Sequence, residues 1–142
     1  NMNISELLIT LHINTLYSLK LIAKKHKLSI QQLLCIYSIP IDGITQTSLA
    51  NYLSIDVSTL SRNLNKLEIQ KIIYKKSIKN DERFLKIFLT NSGKKIFQGI
   101  LYDLTTYIET LNVDTDTNET QKIIDNLLNL NWYILKNKNH NV

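Results

Sequence analysis

The sequence predicts a mainly α-helical chain with one small β-hairpin, and three observations carry that expectation. Across 142 residues there are only three glycines and one proline, which leaves little room for long loops. Apolar residues recur at helical spacing in six separate stretches. Two runs rich in Ile, Tyr and Phe, Ile72 to Ile78 and Phe84 to Leu89, flank the turn-like Lys79-Asn80-Asp81-Glu82-Arg83 and form the hairpin. Two short helices followed by a hairpin make a winged helix-turn-helix, here framed by longer helices at both ends.

Ser5 to about Lys25 carries Leu7, Leu8, Leu11, Leu16, Leu19 and Ile22 at near-helical spacing, with Lys24, Lys25 and Lys27 where cations suit the helix dipole. Ser29 with Gln32 forms a capping box for a second helix, Ile30 to Ile39, apolar on most sides and therefore central. Pro40 and Asp42-Gly43 stop it. Thr45 caps a third helix holding Leu49, Ala50 and Leu53, and Asp56 caps a fourth. In the fourth, Val57, Leu60, Leu64 and Leu67 form one apolar stripe. After the hairpin, Thr90 caps a long helix running to Leu111. Asn112 to Asn118 breaks the pattern, and Asp116 with Glu119 starts a last helix bearing Ile123, Ile124, Leu127, Leu128, Ile134 and Leu135. The domain boundaries expected are 1–28 for an N-terminal dimerisation helix, 29–90 for the winged helix-turn-helix and 91–142 for C-terminal dimerisation helices.

Formal net charge is +5, but its distribution is uneven. From Arg62 to Lys95 ten basic residues face three acidic ones, a net +7, which leaves the remainder at −2. A basic segment on a near-neutral body is the footprint of a polyanion-binding surface, although a solvated charged face has the same composition. One cysteine, Cys35, excludes an internal disulfide framework and fits a reducing, cytoplasmic setting. No apolar run approaches the ~20 residues of a membrane-spanning helix, and the N-terminus lacks a signal-peptide pattern. Asn1 ahead of Met2 has the look of a cloning scar.

At 100° per residue the fourth helix's stripe lies opposite Arg62, with Ser58, Thr59, Asn65 and Lys66 clustered around that arginine. Such a face can sit in a DNA major groove. Its bland reading is an exposed polar helix side, and Arg62 can equally brace the hairpin or a carboxylate.

Residues Leu28 to Phe97 resemble the multiple antibiotic resistance regulator (MarR) family of bacterial winged-helix transcription regulators. Thr45 to Leu53, with Leu49-Ala50, is similar to the first helix of the family's helix-turn-helix. Ser58-Thr59-Leu60-Ser61-Arg62 through Leu67-Glu68 is similar to the recognition helix. Asn80-Asp81-Glu82-Arg83 followed by Leu89-Thr90-Asn91-Ser92-Gly93 looks like the wing tip and the Leu-Thr-x-x-Gly after it. The resemblance implies a homodimer on a pseudo-palindromic double-stranded DNA operator, acting as a repressor or activator that often responds to a small phenolic ligand or to oxidation. It implies that Arg83 enters the minor groove with Asp81 holding its guanidinium, and that Lys76, Lys79 and Ser61 join the Ser58, Thr59, Arg62, Asn65 and Lys66 face on DNA. A surface ion pair is the plain alternative for Asp81 and Arg83. Two positions depart from the pattern. Lys71 stands where the family commonly has Gly, so either a left-handed lysine costs about 1 kcal/mol or more, or the helix leaves by another geometry. Ser48 replaces the usual acidic residue before the Leu-Ala pair.

Cys35 is either an oxidation sensor or, given Leu33, Leu34 and Ile36 beside it, a buried small hydrophobe. His12, His26 and His140 do not cluster at metal-ligand spacing, so no metal or other cofactor is expected. Tyr17, Tyr37, Tyr102, Tyr107 and Trp132 can line a cavity for a small aromatic ligand or serve as packing. No catalytic constellation is visible, so no enzyme is expected. The function expected is a homodimeric DNA-binding repressor responsive to a small ligand. The alternatives are a winged-helix protein-interaction module without DNA binding, and a thiol-based redox regulator.

Overall fold

The computed structural model describes residues 3–78, 85–111 and 117–138. Its elements run α1 (Ile4–Lys25), α2 (Ile30–Ser38), β1 (Ile44–Thr45), α3 (Gln46–Leu53), α4 (Val57–Ile69), β2 (Ile73–Ser77), β3 (Leu85–Leu89), α5 (Asn91–Thr110) and α6 (Asn118–Lys138). This is the expected mainly α fold with a small antiparallel sheet, a winged helix-turn-helix. Residues 1–104 form one compact unit and 105–142 another.

Helix starts follow local capping chemistry. Ser29 and Gln32 make their reciprocal box at α2, Thr45 accepts the Ser48 N–H at α3, and Asp56 accepts the Thr59 N–H at α4. Ser48 works despite lacking a carboxylate, because the Thr45 hydroxyl donates to its Oγ at 2.9 Å. At α1 the box is Asn3 with Glu6. At α6 the capping side chain is Thr117, which accepts the Thr120 N–H at 3.3 Å, while Asp116 lies outside the described residues.

In the first unit α2 is central, packed on α1, α3 and α4. Leu33, Cys35 and Ile36 meet Leu49 and Ala50 of α3 and Leu60, Leu64 and Leu67 of α4, with Ile73 and Ile87 closing the core from the sheet. The apolar stripe of α4 starts one turn later than expected: Leu60, Leu64 and Leu67 are wholly buried, whereas Val57, in the helix's first turn, is 47% exposed. Helix α2 ends one residue early, since Ile39 is extended.

The sheet has the order β1-β3-β2. Strand β1 was not expected from the sequence, since two residues carry no alternation to detect. It pairs Ile44 with Ile87 and Thr45 with Lys86. Gly43 precedes it at φ +75°, where an added Cβ would meet the Phe88 ring at 2.6 Å.

Helices α1, α3 and α4 all end on a non-glycine left-handed residue, Lys27, Ser54 and Lys71 respectively. At each, the residue beyond donates back into the last turn: Leu28 to Ala23, Ile55 to Ala50 and Ile72 to Leu67, at 2.9–3.1 Å. These are Schellman closures. They settle Lys71: it is left-handed, at φ +58°.

The tail of α1 is tied to α5 by a partly buried carboxylate. Asp103 receives Lys25 Nζ at 2.5 Å and lies 2.7 Å from His26 Nε2. Those contacts, the Lys25 hydrogen bond foremost, hold its carboxyl below the usual carboxylate range. In the second unit none of the residues of α6 is buried, although the helix carries Ile123, Ile124, Leu127, Leu128, Trp132 and Leu135.

Candidate nucleic-acid interface

With its stripe seated in the core, α4 offers its other side to solvent. Ser58, Arg62, Asn65 and Lys66 are exposed, Thr59 is half-buried, and Ser61 lies half-buried on the flank. The structure therefore brings together five of the six candidates expected on this helix, with Ser61 at the margin.

The face is ordered from its N-terminus. Asp56 accepts the hydroxyls of Ser58 and Thr59 (the latter at 2.6 Å) and the Thr59 N–H at 2.7 Å. These bonds, led by the one from Ser58, stabilise the ionised carboxylate and lower its pKa far below the ordinary value. Thr59 Oγ1 in turn accepts from Arg62 Nη2 at 3.3 Å. Among the described residues Arg62 therefore leans on Thr59 rather than on a carboxylate, and it stays exposed.

The C-terminal end of α4 is tied to the sheet by Lys75, a residue sequence reasoning passed over. Its Nζ pairs with Glu68 at 2.9 Å and donates to Asn65 Oδ1 at 3.4 Å. Lys75 faces α4 because strand residues alternate sides, and the same alternation turns Lys76 to the opposite face. There the register sets Lys76 directly across from Lys86, and Tyr74 across from Phe88. Lys86 donates to the Asp42 carbonyl at 3.3 Å. Two lysines opposed across a strand pair repel, and they concentrate positive charge on this face of the sheet. Lys86 was missed from sequence; the symmetric positions of Lys76 and Lys86 about Asp81 were the available signal. Lys79, Asp81 and Arg83 lie outside the described residues.

The base of the wing is locked to α4 and α5 by the Leu89-Thr90-Asn91-Ser92-Gly93 motif. The Thr90 hydroxyl donates to the carbonyls of Lys71 (2.7 Å) and Ile72 (3.1 Å) and accepts the Gly93 N–H at 3.0 Å. A Cβ on Gly93 would lie 2.1 Å from the Ile72 oxygen, so the close approach demands glycine.

Beside the stacked Tyr74 and Phe88 lies a cavity of about 450 Å³, lined also by Tyr37, Ile39, Phe97 and Lys94. Of the aromatic residues expected to line a pocket, Tyr37 lines this one, whereas Tyr17 and Tyr102 do not and Tyr107 and Trp132 belong to the second unit. Cys35 is fully buried in the core, where desolvation pushes its thiol up to about 11.

Residues 16–100 match the family model described as transcriptional regulator SarA/Rot. The chain belongs to this family of transcriptional regulators. An HTH-type transcriptional regulator of Bacillus subtilis (strain 168), YybA, is 37% identical over 55 residues, covering 39% of this chain and 37% of that protein. Among solved structures, the chain is similar to the MepR–DNA complex of S. aureus, with a TM-score of 0.71 at 23% identity over 94% of this chain and 99% of that one. It is also similar to Staphylococcus aureus MarR in complex with salicylate and kanamycin, with a TM-score of 0.74 at 20% identity over 91% and 87%. The fold of this SarA/Rot family member is therefore shared with these MepR and MarR structures. Among the described residues no helix is long and apolar enough to cross a membrane.

Proposed function

We propose that this SarA/Rot-type regulator is a homodimeric, sequence-specific DNA-binding protein that represses transcription and responds to a small aromatic ligand. The observation that carries the DNA-binding part is the division of α4: Leu60, Leu64 and Leu67 fully buried, Ser58, Arg62, Asn65 and Lys66 exposed on the other side. Such a helix is anchored and its polar face is offered. Lys76 and Lys86 supply phosphate contacts that position it, while the α4 face supplies base contacts. The DNA complex of the structurally similar MepR supports this reading.

Dimerisation is supported by large apolar side chains that stand exposed among the described residues. Ile4, Leu7, Leu11 and Ile13 of α1 and Ile124, Leu127, Leu128 and Trp132 of α6 are all more than 40% exposed. A second copy would bury them, and a two-fold dimer matches a pseudo-palindromic site with half-sites one helical turn apart. Ligand response is supported by the Tyr37–Tyr74–Phe88–Phe97 cavity, whose Lys94 suits an acidic group, and by the salicylate complex of a structural neighbour.

The test is selection of bound DNA from a random pool, followed by titration across salt. A regulator enriches a two-fold symmetric motif, and log affinity falls linearly with log salt. Light scattering reads the dimer, and salicylate added to the complex reads the ligand response. Binding to DNA that ignores both sequence and salt refutes the proposal.

A further inference from the structure

We propose that Asp56 sets base preference from outside the contact face, by taking the hydroxyl protons of Ser58 and Thr59 so that Ser58 meets DNA only as a hydrogen-bond acceptor. This rests on the reading of α4 as the helix in the major groove.

A hydroxyl has one proton to give and two lone pairs. The Asp56 carboxylate is an acceptor only, so both hydroxyls at its oxygens must be the donors. Thr59 then spends a lone pair on Arg62 Nη2, while exposed Ser58 keeps both of its own. In the major groove an acceptor finds its partner in the amino groups of adenine or cytosine and is refused by the guanine and thymine oxygens. Arg62, steadied by Thr59, presents the opposite chemistry, a donor fork that fits guanine O6 and N7. Ser58 and Arg62 are four residues apart on one helix face, about 6 Å along the axis and hence within about two base steps. Each half-site should therefore hold a guanine, and beside it a position that accepts adenine or cytosine and excludes guanine and thymine.

The experiment is random-pool selection with the full-length protein, its Ser58→Ala variant and its Asp56→Asn variant. Asn retains N-cap capacity but can donate through its amide, which frees the serine proton for the base. Wild type should show the adenine-or-cytosine position with a preference of about threefold to tenfold, the worth of one hydrogen bond. Ser58→Ala, at an exposed site that leaves folding intact, should flatten that position alone. Asp56→Asn should admit guanine and thymine there. Overall affinity falling with every position unchanged in Ser58→Ala, or an Asp56→Asn motif identical to wild type, overturns the proposal while leaving DNA binding standing. A wild-type protein that enriches no sequence sinks both.

Discussion

The hydroxyl of Thr90 lies 2.7 Å from the carbonyl oxygen of Lys71, so the first residue after β3 holds the left-handed residue that ends α4. Lys71 is strained by its side chain, and Thr90 is one of the contacts that keep it there.

Replacing Lys71 with glycine should remove that strain and stabilise the protein by about 1 kcal/mol, read as a higher urea midpoint with an unchanged slope. Thr90→Val keeps the shape but loses the hydroxyl's bonds, leaving the Gly93 N–H short of a partner, and should cost about 1–3 kcal/mol. If Lys71→Gly destabilises, the lysine side chain has a packing role that outweighs its backbone strain.

Asp103 should shape the acid limb of stability. Its carboxyl, drawn down chiefly by Lys25 and also by His26, binds its proton less readily when folded than when unfolded. The stabilisation is complete above the unfolded carboxylate value near about 4, and is lost as pH falls through the lowered folded value. Asp103→Asn should be less stable than wild type at neutral pH, and the two should converge in acid. Denaturation midpoints measured down to about pH 3 decide this; parallel curves would show that the contact adds nothing.

The lysine pair on the wing should trade stability against binding. Lys76→Gln relieves the repulsion with Lys86 and should raise stability by about 0.2–1 kcal/mol. The same change should weaken DNA binding and make the salt dependence shallower by about 0.9, one phosphate contact. Unchanged salt dependence would place Lys76 off the DNA.

Cys35 should be silent to oxidants. Fully buried and with its thiol held near 11, it has almost no thiolate at neutral pH. A thiol-specific reagent should label it only in denaturant, and peroxide should leave DNA affinity unchanged. Fast labelling of the native protein would revive the redox alternative.

Much of this molecule is determined within short windows of sequence. Periodicity located the six helices and the hairpin, and Ser29, Thr45 and Asp56 marked three helix starts, because a cap and its helix lie within one turn of each other. The stripe on α4 and the charge excess from Arg62 to Lys95 likewise pointed to its polar face as the candidate binding surface. Only the tertiary structure decided the rest. Lys71 is left-handed because Ile72 and Thr90 close around it, and no local rule favours a lysine there. Strand β1 exists because Ile44 and Thr45 meet β3, and Lys76 opposes Lys86 because the strand register puts them there. Lys75 turned inward to Glu68, and the Ser58 and Thr59 hydroxyls turned back to Asp56, where sequence spacing alone had offered both hydroxyls to solvent. Periodicity records which side of an element is apolar; which polar atoms are already spent is settled by geometry, and that sets what the exposed face has left to offer.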